Sequence, residues 1–136
     1  MKIIYWSGTG NTEKMAQLIA KGIKEAGKDV DIINVSDVNV EELLKEEVII
    51  LGCPAMGDEV LEENEFEPFI DEISAKLSGK KVVLFGSYGW GDGQWMRDFE
   101  ERMTNYGCII KEEPLIVQSE PDERECIDLG KKIALL

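Results

Sequence analysis

Two spacings of apolar residues alternate along the chain five times. Compact apolar runs lie at Ile3–Trp6, Val30–Val35, Val48–Leu51, Val82–Phe85 and Leu115–Val117. Four are rich in β-branched residues and lack strict alternation, as in strands covered on both faces. Between them the apolar residues recur at helical spacing. Met15, Leu18, Ile19 and Ile23 form one stripe, and Phe66, Phe69, Ile70, Ile73 and Leu77 another. Met96, Phe99 and Met103 form a third, with Gly107 placed to end it. Cys126, Leu129, Gly130 and Ile133 form the last, entered through Glu120-Pro121. A short helix over Val40–Leu44 is expected to start at Asn39, with Glu42 placed to complete a capping box. Five βα units predict a single α/β domain over residues 1–136: a doubly wound, mostly parallel sheet with helices on both faces. Ligands of such sheets bind beyond the carboxyl ends of the strands, here the loops near 7–12, 53–59, 87–93 and 118–121.

Charge narrows the possible partners. The 136 residues carry 28 acidic and 15 basic side chains, a formal charge of −13, and no histidine. That balance argues against nucleic acid and anionic membranes and for basic partners. Without histidine the chain lacks the usual general base near neutral pH and the commonest metal ligand. Cysteines at 53, 108 and 126 form no CxxC pair, so they read as reduced core thiols, with neither a metal site nor a disulfide frame. There is no leader-like or membrane-spanning run, and a cytoplasmic monomer is expected.

The stretch Ser7-Gly8-Thr9-Gly10-Asn11-Thr12 turns from the first strand into the first helix. Helix N-terminal N–H groups form an anion site, and the hydroxyls of Ser7, Thr9 and Thr12 are placed to complete a phosphate cradle without Lys or Arg. A P-loop needs a lysine after Gly10, and a dinucleotide fingerprint needs GxGxxG; neither is present. The clustered aspartates of a phospho-receiver and the Cys/Arg pair of a phosphatase loop are also missing. Two further loops carry large polarizable side chains among glycines: Pro54-Ala55-Met56-Gly57-Asp58-Glu59 and Ser87-Tyr88-Gly89-Trp90-Gly91-Asp92-Gly93. Met56 and Trp90 suit the two faces of a flat ring.

Together these three loops, in this order and over essentially the whole chain, resemble the short-chain flavodoxins of the clostridial type. Leu115–Val117 leaves no room for the insertion that long-chain members carry in the last strand. The resemblance implies strand order 2-1-3-4-5 and non-covalent FMN, with its phosphate in the Ser7–Thr12 loop. It implies Met56 over the inner ring face, Trp90 over the outer, Glu59 at the N3 edge, and Ser87 and Gly89 near the ribityl and pyrimidine edges. The Gly57–Asp58 peptide would turn over on reduction so that the Gly57 carbonyl accepts from N5–H. The implied function is a low-potential one-electron carrier shuttling between semiquinone and anionic hydroquinone, with no catalytic or metal-binding residues. Its partners would be redox enzymes with basic patches, the ferredoxin-type donors and acceptors. Eight acids between residues 54 and 75, with no Lys or Arg among them, would oppose formation of the anionic reduced ring.

Each residue also has a plainer reading. Ser7–Thr12 alone suits an ordinary helix cap with Thr9 as capping residue, and Met56 alone suits core packing. The acids after Asp58 suit a solvated helix start, Asp92 suits a turn, and Tyr88 suits either a place under the ring loop or a stiffening role. Trp6, Trp95 and the cysteines are assigned to packing. Two rival functions stay open: an FMN-dependent NAD(P)H reductase of the same fold, and a receiver-like module without flavin.

Overall fold

The computed structural model describes residues 1–136. Strands β1 (Lys2–Tyr5), β2 (Asp31–Asn34), β3 (Val48–Gly52), β4 (Lys81–Tyr88) and β5 (Leu115–Gln118) alternate with helices α1 (Asn11–Glu25), α2 (Val40–Leu43), α3 (Phe66–Ile73), α4 (Gln94–Asn105) and α5 (Glu123–Ile133). The strands form one parallel sheet in the order β2-β1-β3-β4-β5, as expected. Strand order reverses between β1 and β3, the position at which doubly wound sheets hold their ligands.

Successive strand residues face opposite sides, so the pair Ile3–Ile4 feeds two separate cores. Ile4, Leu51, Val82 and Leu84 pack with Phe66, Ile70, Trp95 and Phe99 under α3 and α4. Ile3, Ile50, Val83 and Phe85 pack with Met15, Ile19, Cys126 and Ile133 under α1 and α5. Helices α1 and α5 meet at Gly22 and Gly130, where a methyl on Gly22 would strike the Ile127 carbonyl and one on Gly130 the Ile19 carbonyl. β3 is buried throughout. Cover on both faces does not extend to β2, where Ile32 is 37% exposed, because an edge strand has a neighbour on one side only.

The element ends show which local signals prevailed. Asn39 Oδ1 accepts from Glu42 N at 3.1 Å, as expected, but the Glu42 carboxylate turns to Lys45 Nζ, also at 3.1 Å. Asp122, one residue past Pro121, caps α5 by accepting from Glu125 N at 3.0 Å. Thr9 does not cap α1. Gly10, at φ 102°, precedes the helix with no side-chain cap, and Ser7 Oγ accepts from the N–H groups of Gly10 and Glu13. The Phe66–Leu77 stripe is not one helix; α3 stops at Ile73 and a 3₁₀ turn, Ser74–Lys76, carries Leu77 back into the core. β4 runs three residues beyond Phe85, so Ser87 and Tyr88 are the end of a strand and not loop residues. Register with β5, Ser87 opposite Val117 and Tyr88 opposite Gln118, sustains that extension.

Candidate functional site

A cleft of about 360 Å³ opens at the carboxyl edge of the sheet, over the reversal between β1 and β3. It is lined by Trp6, Gly8, Thr9, Asn11, Pro54, Ala55, Met56, Ser87, Tyr88, Gly89 and Ser119. The three segments singled out in the sequence thus meet in one place. At one end lie the start of α1 and the Ser7–Asn11 turn. The first N–H groups of a helix have no intrahelical partner and are available to an anion. No Lys or Arg contributes to the lining.

Thr12 and Ser7 lie outside the lining and brace the turn between β1 and α1. Thr12 is 1% exposed, and its hydroxyl pairs with Ser87 Oγ at 2.9 Å, fastening α1 to the end of β4. Ser7 Oγ accepts from two N–H groups and keeps its own proton free to donate. The loop after β3 is a closed turn, in which Met56 N donates to Val60 O at 2.9 Å and Val60 N to Met56 O at 3.1 Å. Within it Gly57 has φ 38° and Glu59 φ 58°, both left-handed. Glu59 Oε1 accepts from Asp92 N at 3.2 Å and Gly93 N at 3.3 Å, linking this turn to the loop after β4. Gly57, Asp58, Gly91 and Asp92 are exposed around the mouth, and Trp90 stands 64% exposed beside the cleft, outside its lining.

Below the loops, Cys53 joins β3 to β4. Its N–H donates to Phe85 O, its carbonyl accepts from Trp95 Nε1 at 3.2 Å, and its thiol receives Glu62 N–H at 3.5 Å. Burial pushes the Cys53 thiol up to about 12. Trp95 packs against Tyr88 with ring centroids 5.4 Å apart, placing Tyr88 against the core as well as in the lining. Trp6, assigned above to packing, forms part of the cleft wall and lies against Gly8. Ser119, the other lining residue not assigned to the cofactor, lies in the 118–121 loop named above. Its φ of 62° is a left-handed value unusual for serine.

The acids are less uniform than their sequence suggests. Glu62 is 4% exposed, and its carboxylate accepts from the N–H groups of Asn64, Glu65 and Phe66 at 2.6, 2.7 and 2.9 Å. It is the anchor of α3 and no part of a solvated rim. Burial pushes its carboxyl up, but the three N–H donors outweigh that and hold it below the usual carboxylate range. Glu67 and Asp71 close on Arg102, at 2.6 and 2.8 Å, so a cation from α4 lies among the eight acids after all. No cluster of His, Cys, Asp and Glu is arranged to hold a metal, and no helix is long and apolar enough to cross a membrane.

Comparison with known proteins gives one consistent answer. The family model for flavodoxin matches residues 3–130. The chain is 77% identical to flavodoxin of Clostridium beijerinckii over 136 residues, covering 98% of this chain and 99% of that one. It is 45% identical to Megasphaera elsdenii flavodoxin over 134 residues, covering 98% of each. The solution structure of two-electron reduced Megasphaera elsdenii flavodoxin superposes with a TM-score of 0.93 at 47% identity, covering 99% of this chain and 98% of that one.

Proposed function

The chain belongs to the flavodoxin family, FMN-binding electron-transfer proteins rather than enzymes, and we propose that residues 1–136 form one FMN-binding unit that carries single electrons at low potential. The observation that carries this reading is the cleft itself, which joins a cation-free anion cradle to an apolar wall of Trp6, Ala55, Met56 and Tyr88. Those residues fit FMN, a phosphate ester with a flat ring. Bound FMN supplies the one-electron chemistry, with the working couple between semiquinone and anionic hydroquinone.

The residues divide that work. Ser7, Gly8, Thr9, Gly10, Asn11 and Thr12 hold the phosphate, Thr12 through its grip on Ser87. Met56 covers the inner ring face and Trp90 the outer. Glu59 keeps Oε2 free for the N3 edge while Oε1 holds Asp92 and Gly93. Gly57 presents its carbonyl to N5. Pro54, Ala55, Ser87, Tyr88, Gly89, Gly91 and Asp92 shape the remaining edges. The phosphate charge stays unbalanced, and the surrounding acids oppose a further negative charge on the ring. One unit charge about 10 Å away at an effective dielectric of 20–40 is worth roughly 1 kcal/mol, on the order of 40 mV for one electron.

The same net charge of −13 suits encounter with basic-patched redox enzymes of the ferredoxin-linked kind, and we place the protein in the cytoplasm as a monomer. Titrating the apoprotein with FMN, then reducing it anaerobically under potential control, tests the reading. The expected result is tight binding and two well-separated one-electron steps. Fast bleaching at 450 nm by NADPH alone would show a reductase instead. A protein that fails to quench FMN fluorescence would be a binding module of another kind.

A further inference from the structure

The loop after β4 carries Trp90 but has little packing of its own, since Gly91, Asp92 and Trp90 are all exposed. Gly91 and Gly93, at φ 90° and 93°, flank Asp92 with two left-handed residues, and α4 begins directly after them with no side-chain cap of its own. What fixes Asp92 are two oppositely charged side chains. From the turn after β3, Glu59 Oε1 accepts the N–H groups of Asp92 and Gly93. From the first turn of α4, Arg97 Nη1 donates to the Asp92 carbonyl at 3.0 Å and Nη2 to Asp92 Oδ1 at 2.9 Å. Gln94 Oε1 accepts from Arg97 Nε at 3.3 Å and Nη2 at 2.8 Å, which orients the guanidinium.

We infer that Arg97 is a positioning residue for the flavin: with Glu59 as the opposing jaw, it holds the Trp90–Gly93 loop in its ring-covering position before FMN arrives. A planar fork does this where an ammonium does not, because carbonyl and carboxylate of Asp92 are engaged by separate nitrogens. An exposed ion pair alone is worth little. Here the pair acts across two left-handed glycines, so its loss leaves Asp92 held from the Glu59 side alone. Preformed loops bind more tightly because less ordering remains to be done.

This inference rests on the FMN reading, and its test separates the two. Amide hydrogen exchange is measured on apoprotein for wild type, Arg97→Ala and Arg97→Lys, followed by FMN fluorescence-quenching titration of each. Both variants should exchange the Asp92 and Gly93 amides at least about threefold faster while sheet amides are unchanged, and should bind FMN about fivefold more weakly. Lysine retains the charge but not the fork. Wild-type behaviour of Arg97→Lys would therefore overturn positioning in favour of charge alone, and unchanged exchange in Arg97→Ala would overturn it outright. Wild-type protein that binds no FMN would instead sink the flavin reading.

Discussion

Replacing Glu62 should unfasten the start of α3. In the Glu62→Ala protein three backbone N–H groups lose their acceptor at once. The Phe66 N–H is buried, and leaving such a donor unpaired costs about 1–3 kcal/mol. Asn64 and Glu65 are exposed and recover water, so each adds about 0.5–1 kcal/mol. The sum is about 3 kcal/mol, a fall in Tm of about 10 °C for a domain of this size. Glu62→Gln keeps one acceptor oxygen and should lose less, about 2 kcal/mol. The assay is urea denaturation of apoprotein followed by tryptophan fluorescence.

Its pH dependence isolates the carboxylate from the many other acids. The folded-state value of Glu62 lies below that of the unfolded chain, about 4.3. Its stabilisation is therefore complete above the unfolded value and is lost as pH falls through the folded one. The stability gap between wild type and Glu62→Gln should be full at pH 6 and shrink steadily below about pH 4.5. Acid-side relief of charge repulsion affects both proteins alike and cancels. A gap that stays constant down to pH 3 would refute the assignment of an ionised carboxylate to these three N–H groups.

Three further outcomes follow from the geometry. Gly22→Ala should destabilise the protein by about 2–3 kcal/mol, since the added methyl meets the Ile127 carbonyl; a midpoint within error of wild type would exclude that close approach. Burial pushes the Cys53 and Cys126 thiols up to about 12 and Cys108 to about 11, so iodoacetamide at pH 8 should leave all three unmodified in folded protein and label three in denaturant, by intact mass. Gly57→Thr should lower the first one-electron potential by about 40–80 mV through loss of a 1–2 kcal/mol hydrogen bond, with FMN affinity little changed, as read by anaerobic potentiometry. An unshifted potential would refute the carbonyl's role.

The sheet was legible because its central strands are apolar on both faces, and because glycines and caps separate them from amphipathic helices. Asn39 and Gly107 mark ends that the structure keeps, with Gly107 at φ 92° after α4. What local pattern missed was decided at a distance. β4 reaches Tyr88 because β5 supplies a partner there, and sequence around 87 and 88 contains only loop-like neighbours. Trp6 packs against the core as its apolar run implies, and just past the end of β1 it also walls the cleft. Glu62 lies in an acidic stretch and reads as solvated; three N–H donors converge on it only after the chain turns into α3. The cation among the acids, Arg102, comes from a helix more than thirty residues later.

The loops are tied to one another by hydrogen bonds rather than by apolar packing. Thr12 joins Ser87, the Ala55 N–H joins the Ser87 carbonyl at 3.0 Å, and Trp95 joins the Cys53 carbonyl. Ser119 N donates to Tyr88 O at 2.8 Å, and Glu59 joins Asp92 and Gly93. Within the turn after β3 one short stretch has no backbone tie. Between the paired residues Met56 and Val60, the backbone groups of Gly57, Asp58 and Glu59 make no backbone–backbone hydrogen bond. A peptide there can turn over without breaking anything, because both flanks are already closed by the Met56–Val60 pair. Gly57 has φ 38°, and a β-carbon on it would meet nothing within 4 Å. Glycine at this position is therefore a matter of backbone freedom and not of space. An electron carrier needs a site that changes little between redox states. On the reading proposed above, the tied loops would bear the ring while the Gly57–Asp58 peptide would adjust to its charge.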